Sequence, residues 1–431
     1  MDATRSRLAV AAAIAILALL VPLGCRQQNA ISTNSHAPVI RVKLVQGTGG
    51  VLVSASGNPL FKSSGESSPQ RLRFPSTPVL VSLAPDGWHI GTLVLPTGEL
   101  TIQPEQDGGI SVDGKAYRGR YRLVPLASVV AASPSSSSAS LAAATSGPRR
   151  FDVINDVDID SYLMSVVTGE MPRTFADEAY KAQAIVARTY ALYEAKTAGV
   201  GRDYDVFDDT RSQVYAGMAA ETDRSREAVE ETSGIVVAAG PPGQERIFKA
   251  YFSACCGGIG QSAADAFGDP PSRALTEQKV GSLCNESPRF NWAPIELRKD
   301  ELTRRIRAWG ARRGNPEKDI APLARIDILQ YNQFGRPVRF VLTDARGARY
   351  SLSGEETRWA CNADANGGPT LFSSFFNPIN GPDTVRFSDG HGSGHGVGMC
   401  QWCAQARAER GMRHEDIVIL SYPGSKLVRA Y

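Results

Sequence analysis

Residues 158–192 read DIDSYLMSVVTGEMPRTFADEAYKAQAIVARTYAL, and the second half of that stretch sets the fold around it. Ala179, Ala182, Ile185, Val186, Thr189 and Tyr193 recur at steps of three and four, the stripe of a helix with one face in a core. The spacing predicts a long buried helix over residues 175–196. Thr174 followed by Asp177 resembles a capping box at its start, with Asp in place of the usual Glu or Gln. Just upstream stands Gly169-Glu170-Met171-Pro172. A proline drives the residue before it out of helical geometry, so Glu170 is expected in a tight connection at the mouth of this helix. Lys181 and Arg188, seven apart, are expected on one face.

Outward from this block, FDVINDVDIDSYLMSVV (151–167) alternates and then turns helical. Toward the N-terminus, VIRVKLV, GVLVSAS, VLVSLA, IGTLVL, ELTIQP and YRGRYRLVP are short apolar or alternating runs broken by Gly, Pro, Asn and Asp, the texture of a β-rich module over 39–125. Residues 126–150 are biased to Ser and Ala and lack large apolar residues. Such a stretch buries too little area to offset its ordering entropy and reads as a linker or insertion. Downstream, VVAAG and KAYFSACCGG look like strands with a glycine turn, DILQYNQFGRPVRFVLTDARGARYSL looks like a hairpin and its continuation, and a glycine-rich loop feeds a helix near Cys400 to Arg410. The fold class expected is α+β, a β-rich N-terminal module followed by a mixed α/β catalytic domain over 151–431.

Arg5 and Arg7 precede an apolar run from Leu8 to Leu23 that ends at Gly24-Cys25. The run is short for a membrane span of about 20 residues and has the layout of a secretory signal. Residues 1–25 are therefore expected to be a signal peptide of lipoprotein type, with Cys25 lipidated, Pro22 standing where leucine is usual, and 26–38 a polar tether. That places the protein outside the cytoplasm, held to the membrane by a lipid anchor. A composition of 42% hydrophobic and 21% charged residues argues against wholesale disorder. A net charge of +3 from 47 basic and 44 acidic residues gives no field of the kind nucleic-acid partners require.

Cys25 apart, six cysteines remain: Cys255, Cys256, Cys284, Cys361, Cys400 and Cys403. An even count in an exported chain favours disulfides, whose pairing sequence does not fix. Zinc is the competing account, since Cys400-Gln-Trp-Cys403 has metal-knuckle spacing; its candidate ligands are Cys255, Cys256, Cys284, Cys400, Cys403, His391 and His395. No cofactor is otherwise called for.

Four blocks in order, DIDSYLMSVVTGEMPRTFADEAYKAQAIVARTYAL, DVFDDTRSQVYAG, AYFSACCGG and GHGVGMCQWCAQARA with SYPG, resemble the stage II sporulation protein D family, whose shared module is also called the SpoIID/LytB domain. The resemblance implies an exported, wall-directed protein that cleaves peptidoglycan glycan strands as a lytic transglycosylase, with the glutamate of the GEMP-like block, here Glu170, as catalytic acid. A sister branch enhances a cell-wall amidase, so a non-catalytic, peptidoglycan-binding partner of an amidase is the alternative. Placed on the family's blocks, Lys181, Gln183, Arg188, Ser212, Gln213, His395 and Gln401 are the candidate substrate contacts, with Asp208 and Asp209 as cleft lining and Trp402 as a sugar-stacking ring. The chain departs from the family at Cys255-Cys256 and at Cys400 and Cys403, where many members have Ser, Thr or Gly. Changes so clustered point to an added covalent or metal cross-link between these blocks.

Such a reaction needs a proton for the leaving oxygen and stabilisation of an oxocarbenium-like transition state. One carboxylate suffices when the sugar's own C6 hydroxyl attacks: the glutamate gives a proton and later takes one back, leaving a 1,6-anhydro end. Glu170 must then be desolvated enough to stay protonated, against the pull of a helix N-terminus, which favours the anion.

Overall fold

The computed structural model describes residues 37–73, 77–105, 109–126 and 149–431. The expected signal peptide, Cys25, almost all of the tether and most of the Ser/Ala-rich stretch lie outside these residues. Among the described residues no helix is long and apolar enough to cross a membrane.

The fold is α+β. Phe151–Asp158 is the pivot: seven of its eight residues are buried, and it lies between Val39–Thr48 and Arg120–Pro125 in a seven-stranded sheet. The two stretches flanking residues 127–148 are thus joined in one sheet and one apolar core. The polar residues on this strand are tolerated because each has a partner. Asp152 pairs with Lys43, Asp156 with Arg120 and Arg122, and Asn155 donates to the Arg118 and Arg120 carbonyls while accepting from the Tyr215 hydroxyl. A second, six-stranded sheet of short N-terminal strands covers this one; Trp88 from it meets Phe151 edge-on at 4.9 Å.

Asp158 turns the strand into helix α1 (Ile159–Glu170) by accepting the Ser161 N–H at 2.9 Å as N-cap. Helix α1 ends where Pro172 requires, with Met171 extended at φ −115° and ψ 137°. Helix α2 (Asp177–Lys196) follows and is buried on nearly all sides. Its alanines 179, 182, 184, 187 and 191 are fully buried, and their small side chains let α1, the strand Ile235–Ala239 and the helices Gln401–Glu409 and His414–Ser421 pack closely around it. The expected Thr174–Asp177 box does not form: Ala176 is the N-cap and its own N–H is met by Gln405 Oε1 at 2.7 Å. A tertiary partner has replaced the local one.

A second apolar core lies between residues 292 and 387, built on the meander Leu323–Tyr331, Pro337–Asp344 and Arg349–Ser353 and the helices Lys299–Arg313 and Gly354–Asn362. Chain order thus inserts this unit between the AYFSACCGG and GHGVGMCQWC blocks, and a cleft opens where its residues face those of the first core.

Candidate active site

Glu170 is the last residue of α1, at the helix C-terminus and not at the mouth of α2 as expected. The difference matters electrostatically, because the C-terminal end of a helix carries partial negative charge and disfavours a carboxylate. Gly169 allows the contact that fixes the side chain: a Cβ there would lie 2.7 Å from the Val214 carbonyl oxygen. The loop 208–214 therefore closes on α1, and the Val214 N–H donates to Glu170 Oε1 at 2.7 Å. Burial pushes the Glu170 pKa above its ordinary 4.5, against the pull of that single hydrogen bond.

Glu170 is half-buried and opens into a cleft of about 1180 Å³. Tyr190 from α2 lines the cleft with it, as does Ser212, whose Oγ accepts the Phe207 N–H at 3.1 Å. Tyr251 to Ala254, Ser393 to His395, and Gln401 also line the cleft, with Tyr251 and Phe252 each edge-on to Tyr190 at 6.4 Å. Farther along, Tyr251 and Phe267 stack at 4.6 Å, and Phe267 continues at 6.2 Å to Trp359, near-parallel at 17°. Arg313 and Arg339 add positive charge to the lining, while Lys249 and Arg358, also in it, are paired with Glu194 and Glu355.

The other carboxylates lining the cleft are engaged in helix caps. Asp265 accepts from the Ser262 hydroxyl at 2.8 Å, and Glu356 accepts the Ser353 N–H at 2.8 Å. Asp160, in the first turn of α1, pairs with Arg188, and Asp209 with Arg211; burial raises the pKa of Asp208 as it does that of Glu170, but Asp208 does not line the cleft. Glu170 is thus the cleft carboxylate with a single backbone donor and a raised pKa, suited to giving and retaking one proton.

His395 is held between Gly394 and Gly396, both left-handed at φ +87° and +69°. Its carbonyl oxygen accepts from Gln261 Nε2 at 2.6 Å and Arg336 Nη2 at 3.2 Å. Its Nδ1 accepts the Val397 N–H at 3.0 Å, and burial, with the Arg358 and Arg336 charges, holds its pKa down at about 4. The ring is therefore neutral at physiological pH and offers hydrogen bonds in place of charge. Gln401, at the start of the helix Gln401–Glu409, reaches the cleft and contacts Gln183 at 3.4 Å.

The structure does not bring the remaining candidates to the cleft. Lys181 is committed to Glu178 at 3.1 Å and Glu231 at 2.7 Å. Arg188 is fully buried, bound to Asp160, the Tyr431 hydroxyl and the carbonyls of Val229, Thr232 and Ile235. Gln183 and Gln213 are also fully buried, Gln213 accepting the Tyr162 hydroxyl at 3.1 Å. Trp402 packs edge-on against Phe175 at 4.9 Å, so the ring available for stacking is Trp359. Tyr190, Tyr251 and Phe267 were missed along with it. Tyr190 and Tyr251 sit within the recognised blocks, where an aromatic without alternation is indistinguishable from core; Phe267 and Trp359 come together only in three dimensions.

A carboxyl gives up a proton only from its protonated form, which fixes the sign of the pH dependence of any acid catalysis by Glu170. The protonated form is fully populated below its raised pKa and lost as pH climbs through it. A pH profile of kcat/KM for glycan cleavage is expected to fall on its alkaline limb above the ordinary glutamate value of 4.5. A rate still rising toward alkaline pH would count against Glu170 as the proton donor.

Residues 148–238 match the family model described as Stage II sporulation protein, SpoIID. An uncharacterized protein of Brachyspira hyodysenteriae is 29% identical over 285 residues, 64% of this chain and 68% of its own length. The amidase enhancer of Bacillus subtilis is 26% identical over 295 residues, 62% of this chain but 40% of the relative. Stage II sporulation protein D of the same organism is 24% identical over 291 residues, 64% and 76% of the two chains. Residues 148–238, which hold Glu170, are thus the segment in which this chain is similar to the Stage II sporulation protein (SpoIID) family.

Proposed function

We propose that this protein is an exported lytic transglycosylase that cuts peptidoglycan glycan strands in cell-wall remodelling, with Glu170 as acid and then base. The observation that carries the reading is the Glu170 carboxyl itself: raised in pKa by burial, held by one backbone N–H, and facing a cleft whose other carboxylates are tied up in caps. Glu170 protonates the bridging oxygen, and the aglycone leaves as the oxocarbenium-like centre develops. The carboxylate then takes the proton from the C6 hydroxyl as that oxygen closes on C1, so the donor sugar ends as a 1,6-anhydro ring and no water is consumed. Neutral His395 and Gln401 supply hydrogen bonds to the sugar, and the Tyr251–Phe267–Trp359 row supplies flat apolar faces for pyranose rings.

Incubation of the purified protein with isolated glycan strands tests this, with release of soluble fragments expected. Trp359→Ala removes one stacking face and is expected to weaken strand binding by about 0.5–1.5 kcal/mol, roughly 2–12-fold, leaving the chemistry of the ends unchanged. Equal affinity of wild type and variant in a strand-binding titration would remove the aromatic row from recognition.

The relative named amidase enhancer favours a second reading, a wall-binding partner that stimulates an amidase. Under that reading, strands are retained by the protein at full length and an added cell-wall amidase works faster in its presence.

A further inference from the structure

Five of the six described cysteines gather beneath the cleft wall, and four of them have a geometry that the cleavage reading does not use. Cys256 follows the strand Phe252–Ser253, Cys284 ends the short helical turn Gly281–Cys284, and Cys400 and Cys403 open the helix Gln401–Glu409. Their sulfurs all lie within 4.8 Å of one another, with Cys256 Sγ 3.7 Å from Cys284 Sγ and 3.9 Å from Cys403 Sγ. A tetrahedral ion with metal–sulfur bonds of about 2.3 Å has sulfur–sulfur edges of about 3.8 Å. We propose that Cys256, Cys284, Cys400 and Cys403 hold one structural zinc ion, closed to substrate, that clamps the wall of the cleft to the helix carrying Gln401.

Three features beyond the distances support it. The backbone N–H groups of Cys256 and Cys403 both point at Cys400 Sγ, each at 3.4 Å, and such donors favour a thiolate over a thiol. Cys400 also stands at the N-terminal cap of its helix, the end that stabilises negative charge. Gly257 and Gly258 follow Cys256 with φ +66° and +91°, a turn that brings that strand end over the knuckle; a Cβ on Gly257 would lie 2.7 Å from His391 Cβ.

Four thiolates around a divalent ion leave a net negative charge, and a buried cation stands near. Arg336 is 1% exposed and donates to the carbonyls of Cys256 at 3.3 Å and Ile259 at 2.8 Å. The four cysteines are 1–7% exposed and are packed by Val280, Leu283, Phe290 and Trp402, so no open coordination position faces the cleft. That is the form of a structural site, in which metal binding adds directly to folding free energy. Cys255 lies outside the group, its thiol 3.9 Å from the Cys284 carbonyl oxygen. His391 and His395, candidates from sequence, lie outside it as well.

The test is the metal content and mass of the full chain, purified without chelator or reductant. One zinc per chain is expected by native mass spectrometry and elemental analysis, with the thiols of Cys255, Cys256, Cys284, Cys361, Cys400 and Cys403 all reactive once the denatured protein is stripped of metal. Cys284→Ser and Cys403→Ser are expected to lose the ion, Cys255→Ser and Glu170→Gln to keep it, and chelation to lower the melting temperature of wild type but not of the two metal-free variants. A metal-free wild type whose unreduced mass is lighter by a pair of hydrogens for each cysteine pair overturns the proposal in favour of disulfides. An iron–thiolate absorbance in place of zinc overturns the identity of the ion. Neither outcome depends on whether Glu170 cleaves glycan.

Discussion

Glu170→Gln is expected to lower glycan cleavage by about 10²–10⁴-fold, the range of a lost general acid–base, while the protein stays folded. The replacement keeps size and shape, and its amide oxygen can still accept the Val214 N–H that Glu170 Oε1 accepts. Stability at neutral pH is expected to hold or rise slightly. The folded state raises the pKa of this carboxyl above 4.5, so the native protein binds the proton more tightly than the unfolded chain, and ionising the group as pH rises costs stability. Gln removes that cost. Kinetics on purified strands together with a thermal melt check both halves. An active variant would remove Glu170 from the chemistry, whereas an inactive one that no longer melts cooperatively would say only that the fold had failed.

The second large effect concerns Arg188, which sequence reading placed with the substrate and the structure places in the core. Its guanidinium is fully buried, 3.0 Å from Asp160, and also serves the Tyr431 hydroxyl and the carbonyls of Val229, Thr232 and Ile235. It ties α1, α2, the helix Asp223–Glu231 and the C-terminal residue together. Arg188→Met keeps much of the volume but leaves Asp160 without its cation, with only the Tyr431 and Ser233 hydroxyls donating to it, and takes the guanidinium donors from the Val229, Thr232 and Ile235 carbonyls. The expected loss is about 3–5 kcal/mol, a large share of the roughly 5–15 kcal/mol that holds a domain folded. Lys181→Met on the same helix, where the pairs with Glu178 and Glu231 reach solvent, is expected to cost no more than about 1 kcal/mol. Denaturant melts of both variants decide it; similar, small losses would contradict the structural role of Arg188.

Arg188 also shows where the sequence was legible and where it was not. The helix Asp177–Lys196 was readable because its stripe is periodic, and the end of α1 because Pro172 forbids helical geometry at Met171. The hairpin from Leu323 to Ser353 was readable from its alternation and its glycines. Periodicity says which face is buried, however, and not how completely. Arg188 and Gln183 lie on a helix buried all round, and a polar residue there reads from sequence as a solvated or ligand-facing one. The placement of Glu170 failed for a related reason: a residue before Met-Pro can end one helix as readily as it can precede the next. Trp359 and Phe267 could not be assigned because the cleft joins two cores far apart in the chain. The cysteine motif was visible as a knuckle, but Cys256 becomes its neighbour only when the strand Phe252–Ser253 pairs with Met399–Cys400, and Cys284 only when the turn Gly281–Cys284 packs on the helix Gln401–Glu409.

A single carboxyl that cuts the glycan with the sugar's own hydroxyl as nucleophile leaves a 1,6-anhydro end and consumes no water. Mass spectrometry of the ends produced by wild-type protein from defined, purified glycan strands tests it most directly. New 1,6-anhydro-muramic ends are expected; new reducing ends would show that water had been used and would rule out attack by the C6 hydroxyl, and strands recovered uncut would leave the protein a binder and not a lyase.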